Sequence, residues 1–458
     1  AFNDIWGYAS GGREYAILGS RSHTIFIDVT QPDTPREVIR FPGGYSNSIW
    51  RDIKTYGHYA YSVADRAGVN ARSGLQIFDL DSLPFNKVKK VYDSYTFFDR
   101  AHNIFIDEAS GRMYVAGARD STWSQSFAGY NGVMVFDISQ NPAQPTLLAT
   151  TTLTGGYIHD LYVRNDTAYC AHIYSGVVGM YDLRNPAMPV LLGWFTNYPG
   201  QGYTHSMWLH DDGDLLVFAD ETHGSHLKAL NVSDFSNLSL HSTFFSALLG
   251  PIATNSIAHN PIFRGDSVYV SYYHDGVQVF DLSNPANPMQ VAYYDTYPNT
   301  TYANSGGVWG VYPLLPSGLI LGSDISTGLY VLEMLSPPLA ISDLSLKGAI
   351  IDDEVQLDIH RNKFEESASL SIQQKTSSGE WQEIYTVHVD ATEKHVSWNN
   401  QNPGTGKISY RAKEVASNGE ELFSNEIEVN VPFFRSIRIS PNPVAHGGDI
   451  QLSLPESS

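Results

Sequence analysis

Four short segments of this chain each put a histidine at the start of an apolar, β-branched run. They read RAHNIFI at 100–106, YIHDLYV at 157–163, YTHSMWL at 203–209 and IAHNPIF at 257–263. The histidines are His102, His159, His205 and His259. A neutral imidazole is a nitrogen ligand for zinc, copper, iron or nickel, and a set of them with an open position holds water or substrate. Asn103, Asp160 and Asn260 follow three of the four, and such residues orient a ring nitrogen from behind. His159, His205 and His259 are the leading candidate metal ligands, followed by His102. The competing reading is a brace: a histidine paired with Asp or Asn at a strand start bonds the neighbouring element and satisfies buried backbone groups. Both readings stand at this point.

The elements that must position these side chains repeat. A phrase of alternating apolar residues ending in a polar side chain occurs seven times, closing at Asp28, Asp79, Asp137, Asp182, Asn231, Asp281 and Glu333, with steps of 45 to 58 residues. Turn phrases such as SNPANP (283–288) and RNPAMP (184–189) follow several copies, and the acid is expected to cap that turn. A second strand phrase precedes each copy, and the histidine phrase precedes that. Each unit reads as three or four short strands with a period of two and no amphipathic helix. Seven such units of about 50 residues predict a seven-bladed β-propeller over residues 1–335. No outer-strand phrase follows Met334, and the chain opens on an inner-strand phrase. The last blade is therefore expected to be completed by residues preceding Ala1.

In such a fold the first strand of each unit lines a central channel. The aligned position reads Gly7, Arg51, His102, His159, His205, His259 and Gly310, with Trp6, Trp50 and Trp309 one residue earlier in the units lacking histidine. The antiparallel second strand ends at the same mouth. That end carries His172, Asp220, Glu221, His223, His226, His274, Asp275 and Asp324, beside a long loop at 118–132. Glu221, Asp220 and His172 are the candidate acid–base groups.

Composition narrows the function. With 28 Lys and Arg against 48 Asp and Glu, the formal charge is -20, which repels phosphate backbones and speaks against nucleic-acid binding. No apolar run approaches the roughly 20 residues of a membrane-spanning helix, so no transmembrane segment is expected. Cys170, the only cysteine, stands in a strand phrase and reads as a buried thiol. HDDGDLL (210–216) spaces its acids loosely like a calcium loop but falls between two strand phrases and reads as a hairpin turn. The chain has no phosphate-binding glycine loop, no HExxH and no nucleophile elbow.

After LSPPLAIS (335–342), alternating segments over 340–432 predict a β-sandwich similar to fibronectin type III modules, and 433–458 begin a third segment. The phrases WRDIKTYGHYAYSVAD (50–65), AHNIFIDEASGRMYVAG (101–117) and GVWGVYP…SDISTGLYVL (307–332) resemble the choice-of-anchor B family, built from LVIVD repeats. The likeness covers about residues 1–335. It implies a secreted or cell-surface propeller and no settled activity. The chain departs from the family at DRAGVNARSG (65–74), which is longer, with Ser73 where a histidine is common. The tail ISPNPV…GGDIQLSL resembles the start of a type IX secretion sorting domain, which implies the type IX machinery as a partner. The function expected is a surface module binding a protein, glycan or small ligand, with a transition metal (Zn, Cu or Fe) or calcium as the candidate ion. The alternative is a metal-dependent hydrolase or oxidase.

Overall fold

A computed structural model describes residues 1–65, 72–122, 124, 126–246, 257–297, 306–334, 344–351, 354–361, 368–376, 379–390, 393, 395–416, 421–431, 438–440 and 451–453. The chain divides into two compact units, Ala1–Met334 and Leu335–Ser458.

The alternation in the first unit folds into antiparallel sheets whose strands follow one another in chain order. Among the described residues, six sheets have four strands and the seventh has three: Val308–Tyr312, Ile320–Asp324 and Gly328–Leu332. The first strands are Phe2–Ser10, Trp50–Tyr56, Asn103–Asp107, Asp160–Arg164, Thr204–Leu209, Asn260–Arg264 and Val308–Tyr312. Each packs against the first strand of the next sheet, and Val308–Tyr312 packs back on Phe2–Ser10. The sheets therefore form a closed cycle around an axis, which is the arrangement of a β-propeller. Closure is reinforced by Glu14, which accepts bonds from the Ser317 N–H (2.7 Å) and hydroxyl (2.5 Å), and by Phe2 N–H donating to the Ile325 carbonyl at 2.9 Å.

The second and third strands of the four-stranded sheets are buried almost throughout, as in REYAILGS and VVGMYD, because sheets pack on both their faces. Outer strands such as Val190–Phe195 are largely exposed or half-buried. The polar residue closing the third strand does cap the turn in six of the seven copies. Asp28, Asp79, Asp137, Asp182, Asn231 and Asp281 each accept, through Oδ1, the N–H two residues on, at 2.8–3.0 Å.

The second unit holds a three-stranded sheet (Leu344–Ile351, Glu354–Arg361, His395–Asn400) and a five-stranded sheet containing Ala368–Lys375, Trp381–Val389, Gly406–Ala416, Glu421–Phe423 and Ile427–Val431. Leu346 and Leu357 from one share a core with Ile372 and Tyr410 from the other. Arg361 lies at its edge, bonded bidentately to Glu414 at 2.7 and 3.0 Å. The 335–342 break lies outside the described residues, as does most of 433–458, of which Arg438–Ser440 pairs with Gln451–Ser453.

Candidate functional site

The four histidines meet. Their rings follow one another along the channel wall with centroids 4.1 Å (His102 to His159), 4.3 Å (His159 to His205) and 4.2 Å (His205 to His259) apart. Each stands at the bulged or unpaired residue just before the first strand becomes regular. The amide N–H groups of His102, His159 and His259 donate to Ala116, Ala171 and Ser271 of the second strand at 3.1, 2.9 and 2.9 Å.

The row does not end at Arg51 and Gly310, as the sequence alignment had it. Arg51 pairs with Ala64 and Gly310 with Ser323, the places held elsewhere by Asp160 opposite Ala171 and Asn260 opposite Ser271. The histidine position is therefore filled by Trp50 and Trp309, one residue earlier. Trp309 lies 4.7 Å from the His259 ring and Trp50 5.8 Å from that of His102. Gly7 pairs with Ala16 deeper in the channel, where a Cβ would run into the Tyr312 ring at 2.1 Å. In the sheets of Trp50 and Trp309 the indole replaces the imidazole as the flat ring of the row. A slip of one residue moves a side chain to the opposite face.

The imidazole nitrogens divide their work. Nδ1 of His159 bonds the His205 carbonyl at 3.3 Å, and Nδ1 of His259 bonds the Trp309 carbonyl at 2.5 Å, each reaching the next sheet. Nδ1 of His102 bonds Asp65 at 3.2 Å. A carbonyl partner fixes the tautomer with hydrogen on Nδ1 and leaves a lone pair on Nε2. Nε2 of His259 is buried without a hydrogen-bond partner. Burial holds His159 and His205 well below the ordinary imidazole range, helped by the neighbouring histidines, and brings His259 to about 3. Three imidazoles in contact are thus neutral at pH 7, the form that ligates metal.

Of the acid–base candidates, only Glu221 joins the row. Its Oε2 lies 3.8 Å from Nε2 of His205, and its Oε1 accepts the Tyr273 hydroxyl at 2.6 Å. Burial raises its carboxyl. Donor atoms of His205, Glu221 and His259 all lie within 4.8 Å of one another. Asp220 turns the other way, fully buried, paired with Lys228 and accepting the Tyr198 hydroxyl at 2.9 Å. His172 is also interior, with Nε2 against the Tyr181 hydroxyl at 2.9 Å and its ring against Trp194. The strand ends at Asp220, whose side chain stays inside the sheet, and Glu221, the first residue beyond it, turns toward the channel. The 210–216 stretch is the hairpin turn expected, with His210 N–H donating to the Leu215 carbonyl at 2.8 Å.

No pattern in the sequence ties Tyr273 to the histidine row. It sits at φ +37°, in the left-handed region that bulky residues avoid, with its ring 4.7 Å from that of His259. Gly307, at φ +89°, lets the seventh sheet approach it closely: a Cβ there would lie 2.0 Å from the Tyr273 carbonyl, which accepts the Val308 N–H.

Two cavities meet at the histidine row. A vestibule of about 440 Å³ is lined by Trp50, Tyr157, Tyr174, Glu221, Tyr273 and Trp309, with His102 and His159 on its floor. A smaller cavity of about 70 Å³ continues inward past all four histidines to Asp4, Asp52, Lys54 and Asp160. There Lys54 bonds Asp52 at 2.6 Å and lies 3.5 Å from Asp4. Burial raises Asp4 well above the carboxylate range and takes Asp160 to about 7. The signal for this polar cluster was legible in WRDIK, where charged residues alternate inside a buried strand.

Comparison with known proteins agrees with this architecture. An LVIVD-repeat model matches residues 262–296. No curated protein matches the chain. Among solved structures, the periplasmic gluconolactonase of Pseudomonas aeruginosa aligns with TM-score 0.52 at 10% identity, covering 86% of this chain and 98% of its own. A protein from Lactobacillus plantarum aligns with TM-score 0.49 at 13% identity over 87% and 98% of the two chains. The WD40 repeats of RRP9 align with TM-score 0.49 at 12% identity over 72% and 93%. The chain is a repeat β-propeller; at these identities the likeness concerns fold alone.

Proposed function

We propose that this protein is an exported, seven-bladed β-propeller that captures a small ligand at its histidine-lined channel mouth, with a transition-metal ion held by the imidazoles. The carrying observation is the row of His102, His159, His205 and His259 in ring contact, three of them held neutral, beneath a vestibule of about 440 Å³. That volume suits a mono- or disaccharide or a metabolite of similar size. Trp50, Tyr157, Tyr174 and Trp309 offer flat apolar faces for stacking. Nitrogen donors favour zinc, copper or iron over calcium.

Export rests on the resemblance to choice-of-anchor B proteins and on the sorting-domain-like tail, with the type IX secretion machinery as partner. The strand orders in 344–361 and 395–400 and in 368–431 support a fibronectin-III-like spacer between propeller and tail. Glu221 beside His205 favours a second reading, a metal-dependent hydrolase or oxidase in which the ion polarises water or oxygen.

The test is thermal unfolding of the chelator-treated protein with Zn(II), Cu(II), Fe(II) or Ca(II), and then with a panel of sugars and small carboxylates. A transition metal is expected to raise the midpoint and calcium to leave it unchanged, and at least one ligand raises it further. No shift with any ion or ligand contradicts the proposal.

A further inference from the structure

Building on the metal-binding reading above, we propose that the ion is held by His205, His259 and Glu221, with Tyr273 as the residue that positions the carboxylate, and that its open coordination position faces the vestibule. His259 and Glu221 each have one atom left over once their other bonds are counted, and His205 turns its Nε2 to the same spot while its buried Nδ1 has no partner. In His259, Nδ1 is taken by the Trp309 carbonyl, and the buried Nε2 has no partner. In Glu221, Oε1 is taken by the Tyr273 hydroxyl, and Oε2 is left facing Nε2 of His205 at 3.8 Å.

Around tetrahedral zinc, with bonds of about 2.0–2.1 Å, ligand atoms stand roughly 3.3 Å apart. The three donors, all within 4.8 Å of one another, need only a modest contraction to reach that spacing. The supports are rigid. Glu221 N–H is tied to the Tyr203 carbonyl at 2.8 Å, and Tyr273 is held at φ +37° by the turn that bonds Gly276 N–H to its carbonyl at 3.0 Å. A strained residue held beside a cluster of donors is where a fold stores local strain for function.

Two imidazoles and one carboxylate form the set that binds zinc or ferrous iron with at least one position open. His205 and His259 line the inner cavity, and Glu221 and Tyr273 line the vestibule, so the ion lies at the boundary. The ligand class that follows is a small molecule giving the metal one oxygen or nitrogen donor while its body rests against Trp309. His102 and His159 stay outside the coordination sphere.

The test uses the full chain, stripped with chelator and titrated with Co(II), whose visible absorption reports coordination. Wild type is expected to bind one ion. Glu221→Gln and His259→Gln are expected to weaken binding about a hundredfold or more, and Tyr273→Phe about tenfold with one ion still bound. His159→Gln is expected to stay close to wild type. Near-ultraviolet circular dichroism checks the fold of each variant. If His159→Gln abolishes binding while Glu221→Gln does not, the ligand set proposed here is wrong and the broader metal reading survives. If wild type binds neither Co(II) nor Zn(II), both fall.

Discussion

A histidine has two nitrogens, and in this channel they do different things. Nδ1 of His159 and His259 bonds the backbone of the next sheet, which is the bracing role; Nε2 of His259 points away from that bond and is left for the ligand role. The two readings of the sequence are therefore compatible in one side chain. The histidines were legible because their type and spacing repeat. Trp50 and Trp309 were placed one residue off because no pattern distinguishes a ring that replaces histidine from a ring beside it. Tyr273 and Glu221 meet across 52 residues and two sheets, through a turn whose positive φ sequence pattern does not reveal. At this scale the buried acids make a prediction. Burial raises Asp4 well above its unfolded value, with Lys54 pulling the other way. The native state thus holds this proton more tightly than the unfolded chain. Its stabilisation is present below about pH 4 and is lost as pH rises through the raised folded value. Urea unfolding at pH 5 and pH 8 is expected to show wild type losing more stability on that rise than Asp4→Asn. Equal losses would mean that Asp4 is ionised in the fold.

Strands were the most legible elements, because alternation and the Asx turns after each third strand are local. What a strand presents at its end was not. Asp220 and Glu221 are neighbours in sequence, yet one faces the interior of its sheet and the other the channel. Asp220 is paired with Lys228, which also bonds Ser225 at 2.7 Å, and both ionic side chains are fully buried. Removing one member leaves the other charge buried and unpaired. Lys228→Met is expected to lower stability by about 3–5 kcal/mol, read from the denaturation midpoint. Because the pair faces away from the histidine row, metal affinity in the folded protein is expected to stay within about threefold of wild type, a shift under 1 kcal/mol. A variant as stable as wild type would show that the pair contributes little to the element.

On the scale of the molecule, seven spaced copies of one phrase announced a cyclic repeat, and the cycle closes through Glu14 and Ser317, 303 residues apart. That contact was not legible, since nothing local marks Glu14 as the partner of a distant turn. The cycle is also what makes the site. No single sheet carries more than one histidine of the row, and only the closed ring brings four together above an inner cavity containing Asp4, Asp52, Lys54 and Asp160. A ring of this kind can be a rigid axle or a metal-bearing mouth, and one measurement separates them most directly. The full chain is purified without a polyhistidine tag or chelator, equilibrated with Zn(II) and Fe(II), dialysed, and assayed by elemental mass spectrometry. The account predicts about one transition-metal ion per chain, reduced to background by Glu221→Gln. A chain that retains no metal under these conditions contradicts it and leaves the histidines as braces alone.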